Sequence, residues 1–363
     1  VENGFILWYP RRHDPTRLQP PTAPTKLFAA FQEYGGWLRM LGVHSVGGLN
    51  RAIQNDRIHE FSLVAEALHE QQIAKIATEI AALRPLPKLV LIAGPSSAGK
   101  TTFSKRLTVQ LLAQGIRPFH IGVDDFFVDR EKAPLDENGD FDFESPHAVD
   151  INRLNRDLRA LTRGEKVALP RYNFKVGKSE AGQTFRLRSD HVILLEGIHC
   201  LNPDLITRVP DEGVYRIFVS ALTQLNLDRH NRASTTDTRL IRRLVRDAHQ
   251  RGWAPQETIQ RWESVRRGEK RHIYPYQEHV NIMFNSALAH ELSVLRPLAE
   301  PLLLQVQPRT PEHVEVKRLL ALLQWFRPCP TTIVPGNSIL REFIGGSALK
   351  DFNAWDFRNA AAN

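Results

Sequence analysis

Leu89-Val-Leu-Ile-Ala93 runs directly into Gly94-Pro-Ser-Ser-Ala-Gly-Lys-Thr101. The first stretch is a short, unbroken apolar run, the pattern of a strand buried on both faces of a parallel sheet. The second fits G-x-x-x-x-G-K-[ST], placed between a strand and the start of a helix expected over Lys100 to about Gln114. The glycines let successive backbone N–H groups turn toward phosphate oxygens, and the helix N-terminus adds the positive end of its dipole. Gly94, Ser96, Ser97, Ala98, Gly99, Lys100, Thr101 and Thr102 are therefore the expected phosphate-binding residues. Lys100 is placed to reach the β- and γ-phosphates of ATP, and the Thr101 hydroxyl to hold Mg²⁺. A chance Gly/Ser-rich turn would have no reason to sit between a buried strand and a helix start.

Outward from this segment, Pro118–Val123, His191–Leu195 and Val214–Val219 read as further strands separated by helical stretches. Such alternation predicts an α/β fold of the P-loop NTPase class, a parallel sheet with helices on both faces. Three segments are expected: 1–85, a Pro- and Arg-rich arm followed by helices over 27–83; 86–310, the P-loop domain; and 311–363, a C-terminal helix and tail. The first residue is not Met, so a piece of a longer protein is expected. No signal peptide and no apolar run of membrane-spanning length is present.

Hydrophobic residues make up 42%, enough for a substantial core. Lys plus Arg exceed Asp plus Glu by 48 to 40, a net +8 that favours an anionic partner without choosing one. Cys200 and Cys329 are too few for a disulfide framework, and a reducing cytoplasm is the default setting. No recognised nucleic-acid-binding motif is found, so a small molecule rather than nucleic acid is the expected partner. The oligomeric state is left open, a homo-oligomer included.

Two acidic positions turn nucleotide binding toward phosphoryl transfer. Asp124 and Asp125 end the strand 118–123, at the carboxyl edge where ligands bind in open α/β sheets. A carboxylate there can take the proton of an attacking hydroxyl or hold Mg²⁺. It could also simply cap the turn that follows. Glu196 closes the apolar run 191–195 in the Walker-B manner and is the second expected Mg²⁺ residue beside Thr101. Further on, Arg239, Arg242, Arg243 and Arg246 recur at i, i+3, i+4 and i+7 and line one helix face. That face is either a solvated basic surface or a lid whose guanidinium forks meet phosphates.

Together these motifs resemble the uridine–cytidine kinase and phosphoribulokinase family over about residues 88–290. In that family an Asp-x-[Phe/Tyr]-[Phe/Tyr] segment follows the P-loop; Asp124-Asp-Phe-Phe127 corresponds, which implies Asp124 as general base and Phe127 in the substrate pocket. Phe143-Glu-Ser-Pro-His-Ala-Val-Asp150 is similar to a segment whose first acid binds ribose hydroxyls, implying that role for Glu144. Pro170-Arg-Tyr-Asn-Phe-Lys-Val-Gly177 is similar to Pro-x-Tyr-Asp-Phe-x-x-His, implying Tyr172 and Phe174 as pocket aromatics. Glu196-Gly-Ile198 and Asp237-Thr-Arg-Leu-Ile-Arg-Arg243 complete the set; the latter implies Arg239 near substrate and Arg242 and Arg243 in the lid.

The resemblance implies an ATP- and Mg²⁺-dependent kinase acting on the 5′-hydroxyl of a nucleoside. Two positions depart from the pattern. Gly177 stands where nucleoside kinases carry their base-reading His, and Asn173 where they carry Asp, so base selectivity is expected to differ. Lys175, Lys178 and Arg171 keep open a sugar-phosphate kinase of the phosphoribulokinase type. A third reading is an ATP-switched, nucleic-acid-linked regulator. Residues 27–83 and the tail Asn337–Gly346 resemble a longer bacterial subgroup in which a region similar to threonyl-tRNA synthetase precedes the kinase. His59, His69 and Glu70 fall in that stretch; without paired metal-type spacing they read as polar positions of an amphipathic helix.

Overall fold

The run Leu89–Ala93 becomes the central strand of the sheet, as its unbroken apolar character requires. The structure is a computed structural model and describes residues 9–10, 14–18, 24–137, 139–174, 176–188, 190–207 and 213–352. Three helices come first: α1 (Thr25–Met40), α2 (Val46–Gln54) and α3 (Ile58–Ala82). Then follow β1 (Leu89–Ala93), α4 (Lys100–Ala113), β2 (Arg117–Gly122), α5 (Ile151–Thr162), β3 (Lys166–Asn173), β4 (Lys178–Arg186), β5 (His191–Glu196) and β6 (Val214–Ser220). The remainder comprises α6 (Thr235–Arg246), α7 (Pro255–His272), β7 (Ile282–Asn285), α8 (Glu291–Leu303), α9 (Pro311–Leu323) and α10 (Arg341–Ile344).

Five strands form one sheet in the order β2-β5-β1-β6-β7, all parallel. Alternate residues of β1 face opposite cores. Val90 and Ile92 pack with α3, α4, α6 and α8 on one face. Leu89, Leu91 and Ala93 pack with α5 and the β3–β4 hairpin on the other. With both faces covered, the strand has no position for a polar residue. The strands at 89–93, 118–123, 191–195 and 214–219 are found within a residue at each end. The hairpin and the four-residue β7 were not foreseen.

The register fixes the working edge. Gly122 and Ile92 both pair with Glu196. The three chains therefore leave the sheet at one level, carrying Gly94, Asp124 and Glu196 out at its carboxyl ends.

The segments bounded at 85 and 310 share one packed core. Tyr34, Leu38, Phe61 and Ile76 before the sheet, and Phe326, Ile339 and Phe343 after it, join Val90 and Phe103 in a single cluster. Arg106 of α4 pairs with Glu66 (3.2 Å) and Glu70 (2.7 Å) of α3. His69 is buried and its Nε2 lies 3.2 Å from the Ala287 carbonyl oxygen, while His59 is exposed. Glu70 and His69 thus serve packing of α3 onto the sheet domain.

Candidate active site

The loop from Gly94 to Gly99 folds as its glycines require. A Cβ on Gly94 would lie 2.0 Å from the Val219 carbonyl oxygen, so only glycine fits. Gly99 sits at φ +85° and starts α4. Lys100 is nearly buried and donates from Nζ to the Pro95 carbonyl at 3.2 Å, which folds it back over the loop. Thr101 Oγ1 donates to Glu196 Oε2 at 3.2 Å, so a hydroxyl and a carboxylate stand side by side at the start of the helix.

Asp124 lies in a short turn, Val123–Phe126, immediately after β2. Its surface is open to the crevice, yet surrounding protein crowds the carboxyl and raises its pKa; Lys100, Arg251 and Arg246 oppose the rise. Burial pushes Glu196 up to about 7, opposed by Lys100 and reinforced by Asp124 and Glu342. Lys100, Asp124 and Glu196 thus act on one another across a single point at the sheet edge. Asp125 goes the other way: its Oδ1 accepts the Tyr172 N–H at 3.3 Å and ties the turn to β3.

The aromatic positions meet beside this point. Phe127, Tyr172 and Phe174 form a cluster with ring centroids 5.0–6.4 Å apart, edge to face. Phe127 and Tyr172 are buried, whereas Phe174 is exposed. Phe143, not singled out in the sequence, joins Phe127 at 6.3 Å. Glu144 follows it, with Oε2 buried and without a hydrogen-bond partner among the described residues. Burial pushes its carboxyl up to about 7, with Arg243 opposing. His199, three residues after Glu196, is buried with neither ring nitrogen hydrogen-bonded among the described residues. Desolvation, followed by His272 and Lys100, holds it down to about 3, so it is neutral.

The raised Glu144 has a consequence for stability. The folded state keeps its proton to about pH 7, the unfolded chain only to the ordinary 4.5. Its contribution is therefore full below about 4.5 and is lost as pH rises through about 7. Glu196 acts in the same sense. Thermal melts should show Tm falling across this range, and Glu144→Gln should flatten the fall. An equal slope in both proteins would show that Glu144 is not held protonated.

The arginine helix departs most from expectation. Arg239 and Arg242 are fully buried, not poised in a crevice or lid. Arg239 donates to the Ser96 carbonyl (2.8 Å), to the Tyr274 hydroxyl (2.8 Å) and to Glu269. Glu269 in turn accepts the Ser96 N–H at 3.0 Å. Arg242 is held by Glu291 and by the Ser286 carbonyl (2.9 Å). Both brace the Gly94–Gly99 loop, Arg239 through the Ser96 carbonyl and Arg242 through that of Ser97 (3.4 Å), with their charge committed to buried carboxylates. The spacing identified one face of α6, but the apolar face is buried as well, so the helix is enclosed on both. Arg243 reaches the loop from the near side, its Nη1 donating to Ser96 Oγ at 3.0 Å. Arg246 and Arg251 gather on Asp247 at 2.8 and 3.6 Å and act electrostatically on Asp124. They are the more open of the arginines here.

Glu269 and Glu342 are the loop partners that the sequence did not signal. Glu342 Oε2 accepts both the backbone N–H (3.0 Å) and the hydroxyl (2.9 Å) of Thr102. On the hairpin, Arg171 and Lys178 are exposed; Lys175 lies outside the described residues.

The sequence model of the Phosphoribulokinase / Uridine kinase family matches residues 89–293. The uridine kinase of Chloroflexus aurantiacus is 29% identical over 199 residues, 54% of this chain and 86% of that protein. That of Ureaplasma urealyticum is 25% identical over 179 residues, 49% of this chain and 78% of that protein. A solved structure described as a possible uridine kinase from Bacillus stearothermophilus covers 59% of this chain and 98% of its own, with 21% identity and a TM-score of 0.41.

Proposed function

The chain belongs to the phosphoribulokinase/uridine kinase family, and we propose that it transfers the γ-phosphate of ATP to the 5′-hydroxyl of a nucleoside. One observation carries this. Lys100, Asp124 and Glu196 converge at the sheet edge, and an aromatic cluster with a buried, unpartnered carboxyl adjoins them.

In this assignment residues Gly94 to Thr102 cradle the phosphates, and Lys100 follows charge onto the transferring group. Thr101 Oγ1 and Glu196 Oε2 are hard oxygen donors 3.2 Å apart, which suits Mg²⁺. Mg²⁺ bound there supplies charge neutralisation for the phosphoryl oxygens. Asp124 takes the proton of the attacking hydroxyl, and its raised pKa makes it a stronger acceptor than an ordinary Asp. Glu144 meets ribose hydroxyls, and Phe127, Tyr172 and Phe174 offer faces to the base. Arg239 and Arg242 act through the loop they brace, while Arg243 with Arg246 and Arg251 supplies cations on the crevice side. Residues 27–83, with their likeness to a synthetase-like region, serve as packing for α4. The setting is the cytoplasm; Cys200 and Cys329 are both free and buried, and among the described residues no helix is long and apolar enough to cross a membrane.

A phosphoribulokinase-type substrate would need a second basic pocket. Arg171 and Lys178, which could help form one, are exposed on the hairpin.

Base selectivity follows from Gly177. It sits at φ +75°, and a Cβ there would come within 2.7–2.9 Å of the Arg130 side chain. A base-reading His does not fit this position. The enzyme should therefore accept more than one nucleobase, or prefer one outside the pyrimidines. ADP release measured with each ribonucleoside and with several pentose phosphates tests the whole assignment. Turnover with nucleosides of several bases supports it. Strict use of uridine and cytidine would sink the selectivity claim, and turnover with pentose phosphates alone would sink the acceptor class.

A further inference from the structure

Residues 331–352 fold back across the molecule as a strap. Ile339, Leu340 and Phe343 are fully buried. Ile339 presses on the phosphate loop: a Cβ on Gly99 would lie 2.4 Å from its Cγ2. Phe343 lies against the Arg242 guanidinium, 4.9 Å from its ring centroid. Lys105 of α4 donates to the carbonyls of Leu349 and Lys350, both at 2.7 Å. The Glu342 carbonyl accepts from Gln250 Nε2 at 2.7 Å, in the turn that also carries Arg251.

Between these ties stands the Glu342 side chain. The first N–H groups of a helix have no partner within it, and together with the dipole they attract anions. In α4 the helix starts at Lys100, so Thr102 is the third such donor. Its N–H and its hydroxyl are both spent on Glu342 Oε2. On the cradle assignment, the Thr102 N–H is one of the donors at the helix start that would meet a nucleotide phosphate. A carboxylate holds that donor instead. The two anions cannot share one N–H, and they repel at contact distance.

Resting on the assignment of Gly94–Thr102 as the nucleotide cradle, we infer that the C-terminal strap is an autoinhibitory clasp. Glu342 holds the Thr102 donors as a stand-in for a nucleotide phosphate, and ATP enters by displacing it. Apparent affinity is then reduced by the fraction of molecules in which the clasp is shut.

The test is the affinity of the full chain for a fluorescent ATP analogue with Mg²⁺, in the wild type, Glu342→Gln and Lys100→Ala. Glu342→Gln keeps the size and removes the charge. It should bind about 5-fold tighter or more, the gain expected if the shut clasp is the main resting state. Unchanged or weaker binding would overturn the clasp and leave Glu342 as a fixed cap of α4. Lys100→Ala separates the two levels: wild-type affinity there would remove the cradle assignment itself, and the clasp with it. Should Glu342→Gln fail to fold, hydrogen exchange in the wild type decides. Faster exchange at Phe343–Gly345 on adding ATP supports displacement, and unchanged or slower exchange contradicts it.

Discussion

Asp124→Asn should lower kcat by about 10²–10⁴-fold, the usual worth of a general base, while ATP affinity changes little. A hydroxyl is a weak nucleophile, and its proton must leave as the bond to phosphorus forms. Asp124 is placed for that task by the register of β2 on β5: Gly122 pairs with Glu196, and the chain turns at once into the crevice. Its carboxyl is raised by crowding and faces Lys100, Arg251 and Arg246. Asparagine keeps the shape and loses the proton acceptor. Asp125 is the internal control. It accepts the Tyr172 N–H and faces the hairpin, so Asp125→Asn should cost stability more than turnover. Steady-state kinetics of both variants give the ranking. A larger kcat loss in Asp125→Asn than in Asp124→Asn would reverse the assignment.

Lys100→Ala should cost roughly 10²–10³-fold in kcat/KM, in line with the loss of one preorganised donor to transition-state charge. Of the other cations that bond the loop, Arg239 and Arg242 are braced against buried carboxylates and Arg243 is bonded to Ser96 Oγ. None has an ammonium free to follow the γ-phosphate. The fold should persist, because Lys100 gives up only its bond to Pro95. Circular dichroism and a thermal melt check that, and kinetics check the rest. Near-native turnover in a folded Lys100→Ala protein would mean that the nucleotide lies elsewhere.

Much of the frame was legible because parallel strands buried on both faces must be continuous apolar runs. Leu89–Ala93 and His191–Leu195 could be read as little else, and their ends then located Gly94 and Glu196. The place of Asp124 at the end of β2 was readable from a weaker signal, since His120 and Gly122 interrupt that run. The β3–β4 hairpin was not, since Lys166–Asn173 contains Pro170 and sits outside the main sheet, where neither a long apolar run nor a crossover helix marks it. The arginine helix exposes a different limit. Spacing identifies which residues share a face of α6, but not that α7 and α8 deliver Glu269 and Glu291 to meet Arg239 and Arg242. Glu342 lies 240 residues from Thr102, and no local pattern could join them.

The most direct test is transfer of a radiolabelled γ-phosphate from ATP to a nucleoside, with product position assigned by NMR, in the wild type and Asp124→Asn. The account predicts label on the 5′-oxygen in the wild type, dependence on Mg²⁺, and near-complete loss in Asp124→Asn with ATP binding retained. Label released only as inorganic phosphate, or appearing equally in Asp124→Asn, would contradict it.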